Sequence, residues 1–182
     1  MCGIAGYLGK TPDPNSCLNE MVKAIHHRGP DNSGIWIDES EEIGFAHARL
    51  SILDLSSAGH QPMHSVSKNF VIVFNGEIYN HMLLRSELDS INRRYWKGYS
   101  DTETLLAAIE EWGLDEALKK AKGMFALALW DKNNKNLSLA CDRIGEKPVY
   151  YGWVNGQFVF ASELKAIKKF PDFKNPIDRS SL

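Results

Sequence analysis

Cysteine is scarce in this chain: Cys2, Cys17 and Cys141 are the only three in 182 residues, and no two of them form a CxxC pair. An odd count without that spacing excludes a disulfide framework and the usual zinc ligand sets. His60 and His64 stand four apart, but Pro62 between them breaks the helix that would put both on one face, so no metal is expected. Long apolar runs are also missing. The stretch MFALALW (124–130) is strand length, which leaves no segment able to cross a bilayer as a helix. Neither sign of charge forms a block: 21 basic residues against 23 acidic ones leave a net charge of −2. Nucleic acid and anionic membrane surfaces are therefore not expected partners. The start of the chain has no basic, apolar secretory pattern, and a cytoplasmic protein is expected. P-loop, dinucleotide-binding and calcium-loop signatures are absent, as are internal repeats and low-complexity linkers.

The elements that are present read mostly as strands, with a few helices between them. GIAGYLG (3–9) is a first strand whose small residues admit close neighbours. Leu18, Met21, Val22 and Ile25 recur at helical spacing before Gly29 and Pro30 stop the pattern. Extended runs follow at 34–38, 43–50 and 70–74. Asn80 is placed to cap a second helix through Leu84, Leu88 and Ile91. Ser100 and Glu103 form a capping box for a third helix, which ends before Gly113, and a short fourth helix fills 115–122. The rest is β-rich, and VYYGWV and QFVFAS flank an Asn155-Gly156 pair typical of a tight hairpin. MFALALW and FVIVF (70–74) are apolar on both faces, as in a sheet covered on both sides. These patterns predict a layered domain with sheet at its centre, long enough to bury about 70% of its unfolded surface. Cys17 and Cys141 are expected in the core. The polar tail KNPIDRSSL (174–182) brings no closing element, so the chain is expected to continue beyond it.

Cys2 differs from the other cysteines by position. Once Met1 is removed, one residue carries a thiol and a free α-amine, whose ordinary pKa values of about 8.5 and 8 let the amine take the thiol proton. That pairing of nucleophile and base suits acyl transfer from an amide through a thioester. In FNGEIYN (74–80) the Asn75 amide and the Gly76 N–H could form an oxyanion hole, although Asn-Gly is equally a common turn. Arg49 in HARLSILD (47–54) could clamp a carboxylate or serve a structural ion pair. Asp101 in SDTE (100–103) could receive an ammonium group or complement the helix start. HHRGPD (26–31) reads as a basic helix end.

Taken together, MCGI, HRGPD, HARLSILD, Gln61-Pro62-Met63, FNGEIYN, SDTE, GMFALALWD, DRIGEKPVYY and FASELKAI closely resemble the glutaminase domain of class II glutamine amidotransferases. Among these, HRGPD and RLSILD look like the N-terminal half of glutamine-hydrolysing asparagine synthetases. The resemblance covers nearly the whole chain and implies an α+β, four-layer αββα sandwich of the N-terminal nucleophile hydrolase type, with residues 1–182 as one glutaminase domain. It implies Cys2 as nucleophile, its α-amine as base, and Asn75 with Gly76 as the oxyanion hole. It places the glutamine α-carboxylate on Arg49 and the α-ammonium on Asp101. The backbone of Leu50, Ser51, Ile52 and Leu53, together with Glu77, would complete the pocket.

The implied reaction hydrolyses L-glutamine to glutamate and ammonia. The domain itself is expected to need no cofactor. ATP and Mg²⁺ would belong to a C-terminal synthetase domain outside these residues, the implied partner, and a homodimer is an admissible assembly. Two other readings share the sequence: the same glutaminase feeding another acceptor such as a sugar carboxylate, and a non-catalytic regulatory module. With Met1 in place the Cys2 nitrogen is an amide and no base, so the chain as written would be a precursor.

Overall fold

The computed structural model describes residues 1–52 and 54–174. In chain order these form β1 (Gly3–Leu8), α1 (Pro14–Ala24), a 3₁₀ turn (His26–Arg28), β2 (Asn32–Asp38), β3 (Ile43–Arg49), β4 (Met63–His64) and β5 (Phe70–Ile78). Then come α2 (His81–Ile91), α3 (Asp101–Trp112), α4 (Leu114–Lys120), β6 (Gly123–Asp131), β7 (Asn136–Cys141), β8 (Tyr150–Val154), β9 (Gln157–Ala161) and α5 (Leu164–Ile167). Local chemistry sets several boundaries. Asp13 accepts the Ser16 N–H at 2.9 Å and Pro14 opens α1, a capped start with proline where its missing N–H costs nothing. Asn155 and Gly156 both have positive φ, 49° and 79°, and join β8 to β9 in a two-residue hairpin turn.

Side-chain alternation sorts the strands into two antiparallel sheets, ordered β2-β3-β1-β9-β8 and β4-β5-β6-β7. On the first sheet, Ala5, Tyr7, Ala46, Ala48 and Val159 face Leu18, Met21, Val22 and Ile25 of the α1 segment and Ala166 and Ile167 of α5. The opposite face carries Ile4, Ile43, Phe45 and Phe160, which meet Val71, Val73, Ala126, Ala128 and Trp130 of the second sheet. That sheet's other face packs Ile72, Phe74, Leu127 and Leu129 against Leu84, Leu88, Leu105 and Ile109 of α2 and α3. The result is helix, sheet, sheet, helix: the expected four-layer α+β sandwich. It explains why FVIVF and MFALALW are apolar on both faces, since each strand has a helix layer on one side and a sheet on the other.

Four local expectations change. First, the extended run expected at 70–74 continues as β5 to Ile78, pairing Asn75 with Ala126 and Gly76 with Phe125. Gly76 is needed for close approach and not for a turn, because a Cβ there would lie 2.2 Å from the Met124 carbonyl oxygen. Second, Asn80 makes no side-chain cap bond to α2. Its amide instead donates to Lys120 O at 3.0 Å and accepts from Lys122 N–H at 2.8 Å, tying the start of α2 to the end of α4. Third, Ser100 caps α3 by accepting the Thr102 N–H, while Glu103 turns away from the box to accept Lys97 and Gly98 N–H and to pair with Arg85. Fourth, Cys17 is buried but Cys141 is exposed, because it closes β7 at the edge of its sheet.

Candidate active site

A cleft of ≈ 90 Å³ opens where the start of β1, the end of β3 and the middle of β5 converge. It is lined by Cys2, Arg49, Leu50, Ser51, Ile52, Asn75, Gly76, Glu77 and Asp101, which is every described residue that the sequence singles out. Leu53 lies outside the described residues.

Strand pairing explains the wall formed by β5. The N–H and C=O of Phe125 are spent on its β7 side, with Asp142 Oδ2 at 3.1 Å and Asp142 N–H at 2.8 Å. Gly76 opposite is therefore a non-hydrogen-bonded partner, and its own N–H and C=O turn away from β6. On that other side β4 pairs only with Val71 and Ile72. Farther along, the Phe74 N–H is taken by Gln61 Oε1 at 2.6 Å and the Ile78 N–H by Asp101 Oδ2 at 2.8 Å. The Gly76 N–H lies between them, facing the cleft. Beside it the Asn75 side chain is 1% exposed, and its amide nitrogen has no hydrogen-bond partner among the described residues. A buried, unmatched donor of this kind is costly unless something occupies it.

Cys2 enters from the first sheet. Its carbonyl accepts Arg28 Nε–H at 2.9 Å, and two residues on, the strand is held by Ile4 N–H to Ser162 Oγ at 3.0 Å. The sulfur rests on the Leu50 backbone, accepting its N–H at 3.4 Å and lying 3.5 Å from its carbonyl oxygen. Burial pushes the thiol pKa up, against smaller lowering by the Leu50 N–H, the terminal amine charge and Arg49. A thiol in this state is neutral at physiological pH and needs a base.

Arg49 is buried and its two terminal nitrogens hold the loop that follows, donating to Ser56 O at 3.0 Å and to Asp54 O. Asp54 in turn accepts Ser56 N–H, the Ser56 hydroxyl and Tyr99 N–H. The arginine thus organises the loop at the mouth of the cleft as well as lining it, and among the described residues it is neither in an ion pair nor at an exposed edge. Asp101, 6% exposed, accepts Thr102 N–H at 2.8 Å in addition to Ile78 N–H. Burial raises its carboxyl pKa, only partly offset by those two N–H groups and by His81. Among the described residues no three His, Cys, Asp or Glu side chains gather as a metal site would require.

The glutamine amidotransferase domain family model matches residues 1–182 in full. The chain belongs to the glutamine amidotransferase domain family. It is 42% identical over 177 residues to asparagine synthetase [glutamine-hydrolyzing] 1 of Bacillus subtilis, covering 92% of this chain and 26% of that protein. It is 41% identical over 182 residues to asparagine synthetase B [glutamine-hydrolyzing] of Escherichia coli, covering 94% and 32% respectively. The chain thus spans about a quarter to a third of the length of these relatives. Among solved structures, glutamine phosphoribosylpyrophosphate amidotransferase of Bacillus subtilis superposes with a TM-score of 0.79 at 21% identity, over 92% of this chain and 43% of that one. That likeness shows the same sandwich.

Several residues of this glutamine amidotransferase domain were not singled out as site residues on sequence grounds. His47, Gln61, Thr102 and Lys147 also line the cleft, and all four are buried. Lys147 is carried by a loop in which Asp142 collects the Ile144, Glu146 and Lys147 N–H groups. Arg28 is no bland helix end: besides holding the Cys2 carbonyl it pairs with Glu163 at 3.0 Å. Each belongs to a phrase that carries the family resemblance, namely HRGPD, HARLSILD, QPM, SDTE, DRIGEKP or FASELK, and that was the signal available.

Proposed function

We propose that this domain hydrolyses the side-chain amide of L-glutamine, with Cys2 as nucleophile and its α-amine as base after Met1 is removed. The amine takes the thiol proton, and the sulfur attacks the amide carbon. The oxyanion that forms accepts from the Asn75 amide and the Gly76 N–H. The protonated amine then gives its proton to the departing nitrogen, which leaves as ammonia and a glutamyl thioester remains. Water attacks that thioester, the amine again takes a proton, and glutamate is released with the thiol restored. Arg49 holds the α-carboxylate and Asp101 the α-ammonium, with the backbone of Leu50 to Leu53 and Glu77 completing the pocket.

The observation that carries this reading is the buried Asn75 amide without a partner, set beside the Gly76 N–H in the cleft that contains the Cys2 sulfur. Similarity to glutamine-hydrolysing asparagine synthetases supports a further step. The ammonia passes to a synthetase domain, where ATP and Mg²⁺ activate aspartate, and this domain itself uses no cofactor. The free thiol chemistry fits the reducing cytoplasm.

N-terminal mass spectrometry joined to a glutaminase assay tests the proposal. Protein lacking Met1 is expected to release glutamate and ammonia, and Cys2→Ala to release none. Equal activity in both, or an inactive protein with Cys2 at its N-terminus, overturns it.

A further inference from the structure

We propose that Gln61 and His47 are positioning residues that set the oxyanion hole by clamping the two peptide groups that flank Phe74 on the open edge of β5. The inference rests on the glutaminase reading above and names how the same site is held.

In an antiparallel sheet the peptide planes of a strand are fixed by ladder bonds on both sides. The β4 ladder stops at Ile72, so Phe74, Gly76 and Ile78 turn their peptide groups toward a side with no strand. Two side chains take the place of that strand at Phe74. Gln61 Oε1 accepts its N–H at 2.6 Å, and His47 Nε2 lies 3.2 Å from its carbonyl oxygen. A carbonyl only accepts, so Nε2 carries the hydrogen and Nδ1 is bare in the neutral ring. Burial lowers the His47 pKa to about 3, with smaller contributions from His60 and Arg49, which keeps the ring neutral under physiological conditions.

The Phe74 carbonyl and the Asn75 nitrogen share one peptide plane. Gln61 holds the peptide plane before Phe74 and His47 the plane after it, so together they fix the φ and ψ of Phe74 and with them where the strand presents the Asn75 side chain and the Gly76 N–H. Gln61 also reaches the other substrate wall: its Nε2 donates to Thr102 Oγ1 at 3.3 Å, next to Asp101, which pins Ile78. The edge is thereby tied at Phe74 and at Ile78, with Gly76 left between. Gln61 is 5% exposed and His47 1%, so water does not compete for these bonds. A pair that merely satisfied buried polar groups would matter for stability alone. A clamp on the oxyanion hole must matter for the transition state.

The test uses the Met1-processed protein and four variants. Gln61→Met keeps the shape but not the bonds, Thr102→Val removes only the link to α3, and His47→Leu is compared with His47→Gln, whose amide nitrogen can reach the Phe74 carbonyl. Gln61→Met and His47→Leu are expected to lower glutaminase kcat about 10- to 100-fold while KM changes no more than about threefold. Affinity for a glutamine-derived aldehyde that adds to Cys2 should fall by the same factor as kcat. L-Glutamate affinity and the rate of Cys2 alkylation by iodoacetamide should stay the same. Thr102→Val should show a smaller loss of the same pattern, and His47→Gln should recover most of the kcat lost in His47→Leu.

Full kcat in folded Gln61→Met overturns the inference alone. So does a loss of kcat matched by equal losses of glutamate binding and alkylation rate. If Gln61→Met does not fold, the two His47 variants decide, and equal kcat in both overturns the clamp. Absence of glutaminase in the unsubstituted processed protein overturns the function itself, and this inference with it.

Discussion

Burial keeps the Cys2 thiol neutral, and the same burial acts on its counterpart across the cleft. Asp101 holds its proton to a higher pH than an ordinary carboxyl because removal from water disfavours the charged form more than the Ile78 and Thr102 N–H groups favour it. On the glutaminase reading proposed above, the substrate ammonium requires the ionised form. The KM for glutamine is therefore expected to rise as pH falls through the raised Asp101 pKa, whereas Asp101→Asn should give a high KM with no such inflection. Steady-state glutaminase kinetics from about pH 4 to pH 8 check this, and a flat KM in the unsubstituted protein would refute it. At this scale Cys2, Asn75, Arg49 and Asp101 were offered by their functional groups beside ordinary structural readings, and the family resemblance is what chose between the two. Gln61 and His47 were not so offered. An amide or a neutral imidazole acquires its role only from the backbone group it meets, and Phe74 is 13 and 27 residues away from them.

At the scale of elements, α1 shows how far local rules reach. Its cap, its proline and its apolar stripe all lie within one short segment, and the structure places the stripe on the first sheet. Asp13→Ala removes the cap bond to Ser16 and is expected to lower stability by about 1 kcal/mol. Urea unfolding measures that loss, and glutaminase activity should not change, since the cap lies outside the cleft. The hairpin at Asn155-Gly156 was equally legible, because positive φ at two successive positions has few sequence solutions. The same dipeptide type at Asn75-Gly76 does the opposite and continues a strand. What decides between the two is the Met124 carbonyl pressed against Gly76, a contact between segments almost fifty residues apart. No local pattern carries that information. Asn80 follows the same logic, since it stands where a cap would and is drawn to the Lys120 and Lys122 backbone instead, whereas Glu103 leaves its box for the Lys97 and Gly98 N–H groups just before the helix and for Arg85.

The whole molecule depends on the dry layer between its sheets. Phe45 lies there with its ring 5.5 Å from Trp36 and 5.7 Å from Phe160. Phe45→Ala is expected to cost about 3–5 kcal/mol, since truncation of a large buried side chain leaves a cavity the two sheets cannot both close. The loss should appear as one cooperative shift in urea unfolding, and separate transitions for the two sheets would contradict the shared core. The cleft sits at the margin of this layer, with Cys2 and Arg49 contributed by one sheet and Asn75 and Gly76 by the other. Sequence by itself determined the groups available to this protein: a thiol that removal of Met1 would place beside a free amine, the Asn75-Gly76 amides, and the Arg49 and Asp101 charges, on elements whose periodicity is local. Only the tertiary structure decided which peptide groups face the cleft, which polar side chains hold them and which cysteine is buried. Those outcomes depend on strand pairing and burial between segments far apart in the chain, and neither is written in any single stretch of it.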